Sequence, residues 1–269
     1  MLPVDAPKEA IEDFRREHGL EGPLIIQYLR FVKNAIQGNF GRSIQFYHPA
    51  LNVLMGRFPA TIKLALAAMG LAILIGIPLG VVAAVKKFTI FDHIARFLSQ
   101  IGQSVPEFYL GIVLIIFFAV TLRWLPTSGA EKSGSLIMPM IALSAYPTAL
   151  LQRITRACML DILNKDYIRT ARSKGLSERV IAYKHALTNA LIPLITVVFI
   201  RLGEMFGGAV VIETVFDWPG VGRLAVQAIL SRDFPIVQVS VVVIAVIFVL
   251  LNFIGDILYG LVDPRVRYE

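Results

Sequence analysis

Arg201 and Glu204 stand three residues apart in the apolar run "FIRLGEMFGG". On a helix that spacing places them on one face, where they can pair. Charges within a greasy run are costly, and they usually face a neighbouring helix or a wet cavity. Counting from residue 186 at about 1.5 Å per residue puts Arg201 about 22 Å along such a helix. Glu107 lies in a second apolar run, three residues after Ser104. A nucleophile and base at that spacing would suit an intramembrane enzyme, but Pro106 separates them and no Gly-x-Ser element accompanies them. Arg201, Glu204 and Asp256 could instead relay protons in a secondary transporter, although the internal repeats common in such proteins are not evident. The four histidines (His18, His48, His93 and His185) are far apart and form no paired metal-ligand spacing, so no metal site is expected. No GxxxxGK[ST] loop occurs, so this chain is not expected to hydrolyse ATP.

The elements carrying these residues are helices in a bilayer. Of 269 residues 56% are hydrophobic and only 17% charged, against about 25% charged in soluble domains. A span needs about 20 apolar residues. Residues 64–85 and 236–255 are uncharged runs of that length, and 97–122, 136–154 and 186–212 are noisier candidates. Five membrane helices are therefore expected. Gly76-xxx-Gly80 and Gly203-xxx-Gly207 have the small-residue spacing of close helix contacts. Pro78, Pro106, Pro139 and Pro193 are candidate kinks or hinges. The single cysteine, Cys158, excludes an internal disulfide framework.

Charge placement sets the topology. Segments 86–96, 153–184 and 263–269 together hold the whole net charge of +7, and the remainder of the chain is balanced. The positive-inside rule places these segments in the cytoplasm, leaving 1–60, 123–135 and 213–235 outside. The high pI of about 9.6 is then a topology signal, and nucleic acid is not an expected partner. Residues 1–23 are polar and mixed in charge, unlike a signal or transit peptide. Residues 9–37 read as amphipathic helical turns with a Gly-Pro break. An exported amino end needs a crossing before it, so a further span is expected ahead of residue 1.

The densest basic cluster, "DYIRTARSKGLSERVIAYKHALTNALIP" (166–193), therefore projects from the inner face. Residues 166–173 are helix-forming, Gly175 breaks the helix, and Ser177 can cap a second one. Helix–glycine–helix at this place resembles the coupling segment of ABC-importer permeases. Arg169, Thr170 and Ala171 fill the Glu-Ala-Ala places and Gly175 the glycine, while Leu187 and Thr188 stand where Leu-Pro is common. The stretch is more closely similar to the dipeptide/oligopeptide/nickel type. So are "HGLEGPLIIQYLRFVKNAIQGNFGRS" (18–43), "ETVFDWPGVGRLAVQAILSRDFPIVQ" (213–238) and "LYGLVDPRVR" (258–267).

That resemblance implies an all-α polytopic membrane protein with the type I ABC-importer permease fold. It implies five transmembrane helices in this chain, with the family's first helix expected before "LPVDAP" (2–7). It implies an extracytoplasmic segment over 1–60 and a transmembrane permease domain over 61–269, with the coupling segment at 163–185. The implied function is import of di- and oligopeptides, with nickel chelates or glutathione-like solutes as alternatives. The implied partners are a second homologous permease subunit, two ATP-binding subunits that use the ATP, and an extracytoplasmic solute-binding protein, in a prokaryotic inner membrane. No cofactor is expected on this chain. Asp166, Arg169, Thr170, Ala171, Lys174, Gly175 and Leu176 would couple to the ATPase. Glu107, Arg201 and Glu204 are candidates for the translocation path; Arg201 and Glu204 stand where relatives are expected to be uncharged. Glu213, Asp217, Trp218, Pro219 and Gly220 would form the loop meeting the binding protein, although Trp-Pro-Gly alone could make an ordinary exposed turn.

Overall fold

The computed structural model describes residue 7 and residues 22–262. The "LPVDAP" element apart from Pro7, the amphipathic turns before residue 22 and the basic tail after 262 lie outside the described residues. The named elements of the described residues are all helices: α1 (Leu24–Ile36), α2 (Ala50–Val85), α3 (Ile90–Ser104), α4 (Glu107–Thr121), α5 (Ile137–Leu163), α6 (Asp166–Ser173), α7 (Glu178–Val215), α8 (Val221–Leu230) and α9 (Phe234–Val262). The last turns of α4 (Ile115–Thr121) and an early stretch of α7 (Ile181–Ala186) are π-helical.

Among the described residues, α2, α7 and α9 are long and apolar enough to cross a membrane. The pair α3 and α4 qualifies as a fourth crossing only when counted together. The apolar run 97–122 is thus not one straight helix: the chain bends by 100° between α3 and α4. Pro106 lacks an N–H and crowds its predecessor, and Val105 responds by turning extended (ψ 121°). The bend makes Glu107 the first residue of a new helix. Helix α5 is long enough to span but is more polar than the others. Ser144, Gln152 and Thr155 are buried on it because other helices, not lipid, surround it.

Helix α5 is the hub, packed against α2, α3, α4 and α7. Its contact with α2 depends on Gly76 and Gly80. A Cβ on Gly80 would lie 2.5 Å from Thr155 Cβ and 2.7 Å from the Gln152 carbonyl, and one on Gly76 would lie 2.7 Å from the Thr148 carbonyl. The first small-residue spacing therefore brings two backbones together. The second does so only at Gly203, where Phe248 packs; Gly207 faces open space. Gly80→Leu should force α2 from α5, destabilising the protein by about 1–3 kcal/mol or more. Gly70→Leu, where nothing stands within 4 Å, should leave the melting temperature of the detergent-solubilised protein nearly unchanged. Equal melting of the two variants would contradict this packing.

Helix α3 lies along α5 through a polar stripe. Asp92, fully buried, accepts a bidentate pair from Arg156 (2.7 and 2.8 Å) and a bond from the Phe88 amide (3.1 Å). Two turns on along α3, the Ser99 hydroxyl donates to Gln152 Oε1 (2.5 Å). The opposite face of α3 exposes Phe91, Ile94, Phe97, Leu98 and Ile101, suiting it to lipid or an apolar partner.

The connections gather at two poles. At one, segment 86–92 meets Arg156, and Val81 and Ala84 pack with Met159, Ala182 and Ala186. At the other, the Ser43 hydroxyl donates to Asp233 (2.5 Å), the Gly129 amide donates to the Phe216 carbonyl (3.0 Å), and Ala50 and Leu54 pack with Leu224 and Ile236. Basic segments 86–96 and 153–184 share the first pole, and all three segments expected outside have residues at the second. The boundary expected at 60/61 falls inside α2, whose first turns belong to the second pole.

Candidate functional site

Three regions hold the residues singled out above. The first is a cavity of about 210 Å³ lined by Glu107, Leu143, Tyr146, Pro147, Arg201, Glu204, Met205 and Gly208. It brings together all three charged residues read as path candidates. Arg201, Glu204/Met205 and Gly208 recur at helical spacing along α7, and the break at Pro106 delivers Glu107 to the same place. Arg201 forms an ion pair with Glu204, and its guanidinium sits 5.2 Å from the Tyr146 ring centre. Among the described residues Glu107 makes no hydrogen bond or ion pair, and a Cβ at Gly208 would stand 3.8 Å from its Oε2. Sequence reasoning missed Tyr146 and Pro147, which come from α5, because nothing local marks an aromatic as a cavity wall.

The second region is the helix–turn–helix at the first pole, the one that carries the basic segments. Ile168 and Ala171 of α6 are buried against Ile181 of α7 and Leu163. Asp166, Arg169, Thr170, Lys174, Gly175 and Leu176 are exposed around the turn. Of the seven coupling candidates, Ala171 alone points inward, and it anchors the turn. The Gly175 amide donates to the Arg172 carbonyl (2.9 Å) and the Leu176 amide to Ala171 (3.3 Å). This paired closure of a helix end requires a left-handed residue, and Gly175 has φ +79°. Arg172 then spans the turn to Glu178 with bonds of 2.7 and 3.2 Å, and that partner raises the Arg172 pKa further above its usual value. Ser177 stands at the start of α7 as expected, but its side chain makes no capping bond; its carbonyl accepts from the Ile181 amide instead.

The third region is the turn after α7. Glu213, Trp218 and Gly220, read as candidates for an exposed contact loop, are buried. The chain folds back so that the Trp218 Nε1–H donates to the Ala60 carbonyl (2.9 Å). Glu213 accepts from the Thr61 hydroxyl (2.6 Å) and the Arg223 amide (3.0 Å), while Thr61 Oγ1 accepts from the Val221 amide (2.8 Å). Helix α8 is preceded by Gly220, which has no side chain to cap it. Its orphan N–H groups are met by residues from α2 and α7. Asp217 is exposed, pairs with Arg223, and takes a left-handed φ of 53°. Pro219 is half-buried. Of the five loop candidates, these two alone face outward.

Comparison with known proteins places the whole chain among its relatives. Residues 76–268 match the family described as the binding-protein-dependent transport system inner membrane component. The chain belongs to this family. It is 41% identical to the di/tripeptide transport system permease protein DppB of Pseudomonas aeruginosa (strain UCBPP-PA14), over 93% of this chain and 83% of that protein. It is 41% identical to the oligopeptide transport system permease protein AppB of Bacillus subtilis (strain 168), over 96% and 85%. It is 38% identical to the glutathione transport system permease protein GsiC of Escherichia coli (strain K12), over 98% and 87%. Among solved structures, a chain of the inward-facing MetNI methionine ABC transporter matches 78% of this chain and 96% of its own length, with a TM-score of 0.67 and 20% identity. A chain of an amino acid ABC transporter with histidines matches with a TM-score of 0.57 and 18% identity, over 80% and 94%. These two show the fold alone. This permease-family chain is thus a multi-pass membrane protein and a transport component.

Proposed function

We propose that this chain is one half of the translocation pathway of an ATP-driven importer that takes di- and oligopeptides from an extracytoplasmic binding protein into a prokaryotic cell. The observation carrying this reading is the 41% identity, over nearly the whole chain, to permeases named for di/tripeptide and oligopeptide transport. The five crossings are α2, α3 with α4, α5, α7 and α9. A second, homologous permease completes the pathway. Two ATP-binding subunits dock on the exposed turn between α6 and α7 and use the ATP, and this chain binds no cofactor of its own. At the outer pole the binding protein meets exposed Asp217 and half-buried Pro219, with Tyr47, Leu230 and Phe234 exposed at the same pole.

The geometry supports a lever. Helix α7 is unbroken from Glu178 at the coupling turn, past Arg201 and Glu204 in the cavity, to Glu213 at the outer pole. Ile168 and Ala171 lock α6 to its foot, so displacement of the turn displaces the whole helix. Alternating access needs such a rigid link between motor and pore. Pro193 inside α7 is the place where that lever can bend.

A glutathione-like solute is the second reading, favoured by the 38% identity to a glutathione permease over 98% of this chain. The complete importer reconstituted in vesicles decides between them. Uptake of radiolabelled tri-alanine, dependent on ATP and binding protein, is the expected result. Uptake of glutathione or a nickel chelate, with tri-alanine excluded, would overturn the peptide assignment.

A further inference from the structure

We infer that Glu107 is a specificity-determining acid of the central cavity, selecting solutes that present a free primary ammonium group, such as the amino terminus of a peptide. This deepens the import reading above and rests on it. The argument begins with the charges lining the cavity. Arg201 is already engaged, by Glu204 in an ion pair and by the Tyr146 ring below its guanidinium. That pair contributes no net charge. Glu107 is the remaining charged lining residue, and among the described residues it has no partner. The rest of the wall is Leu143, Tyr146, Pro147, Met205 and Gly208.

A carboxylate partly withdrawn from water into such surroundings lacks the counter-charge that would offset its desolvation. A solute ammonium supplies it through a charge-assisted hydrogen bond, the stronger kind. One carboxylate does not make a metal site, and no group of three or more metal-ligating side chains gathers among the described residues. The position is built rather than incidental. Pro106 and the 100° break start α4 at Glu107, and its carboxylate faces Gly208 in the cavity wall, 3.8 Å from where a Cβ would stand. Solutes without an ammonium, such as N-acetylated peptides, find an unpaired carboxylate here.

The test uses the complete importer in vesicles with a reporter thiol at Gly208→Cys, in a Cys158→Ser background. A Cβ at 208 makes only ordinary contact with Glu107, so the reporter fits. Its reaction with a cationic methanethiosulfonate reagent should exceed that with an anionic one, and Glu107→Gln should cut this ratio by roughly tenfold or more, the range of a charge-assisted bond. Glu107→Asp should restore most of it. With Glu107 in place, tri-alanine should protect the thiol at concentrations where N-acetyl-tri-alanine does not. A reagent ratio unchanged by Glu107→Gln, or equal protection by the two peptides, would overturn the inference. The protection comparison needs no variant of Glu107, so it stands even if Glu107→Gln fails to assemble. Failure of the importer to take up any peptide would sink the import reading instead, while the reagent ratio still judges Glu107.

Discussion

Gly175→Val should reduce ATP-driven uptake by tenfold or more while leaving binding of the loaded binding protein intact. Gly175 ends α6 in the left-handed region at φ +79°. That conformation costs an L-residue about 1–2 kcal/mol, and a β-branched side chain fares worst. The obstacle is conformational rather than steric, since no atom lies within 4 Å of an added Cβ. The strained turn escapes by giving up the bonds from the Gly175 and Leu176 amides, which releases Leu176 and swings Arg172 from Glu178. Ile168 and Ala171 stay packed on Ile181, so the helices survive and only the surface offered to the ATPase is lost. Gly175→Asn separates this account from a simple intolerance of change, because asparagine tolerates the left-handed region. It should retain most of the activity. Normal transport by Gly175→Val would remove the coupling turn from this place in the chain.

What the sequence revealed follows from the range of the forces involved. The α6–turn–α7 unit was legible because a glycine stop is local. Its stabilising clasp, Arg172 to Glu178, was not, because many exposed charges could have paired there. The charged cavity residues stood out against an apolar background. Their companion Tyr146 did not, since only the packing of α5 on α7 makes it a wall. Pro106 was visible, yet the run 97–122 read as one span. Hydropathy sums along the chain and cannot register a bend of 100°. The turn after α7 misled in the opposite direction. Trp-Pro-Gly and nearby acids look like surface, but Trp218 and Glu213 are buried through bonds to Ala60 and Thr61, more than 150 residues earlier.

That distant bonding sets the second large effect. Glu213→Ala should destabilise the protein by about 3 kcal/mol, the sum of one to two buried donors left without acceptors. Glu213 and Thr61 cap α8 from two other helices. The Val221 amide donates to Thr61, the Arg223 amide to Glu213, and the Thr61 hydroxyl links the two acceptors. An anionic carboxylate at a helix amino end also gains from the exposed N–H dipoles. The glycines are part of the arrangement, since a Cβ at Gly220 would overlap the Glu213 carboxylate. Without the carboxylate α8 loses its anchor, and the turn that buries Trp218 loosens with it. Glu213→Gln keeps an oxygen for one donor and should lose only about 1 kcal/mol. Thr61→Val should resemble Glu213→Ala, and the double variant should be little worse than either, because the groups act as one network. Two readouts are needed. Thermal melting in detergent gives the ranking. Tryptophan emission, with exposed Trp124 replaced by Phe, reports Trp218 alone and should shift to longer wavelength in Glu213→Ala as water reaches the ring. Additive melting losses with an unshifted Trp218 would mean that α8 is held by its apolar contacts with Ala50, Leu54 and Ile236, with the buried carboxylate contributing little.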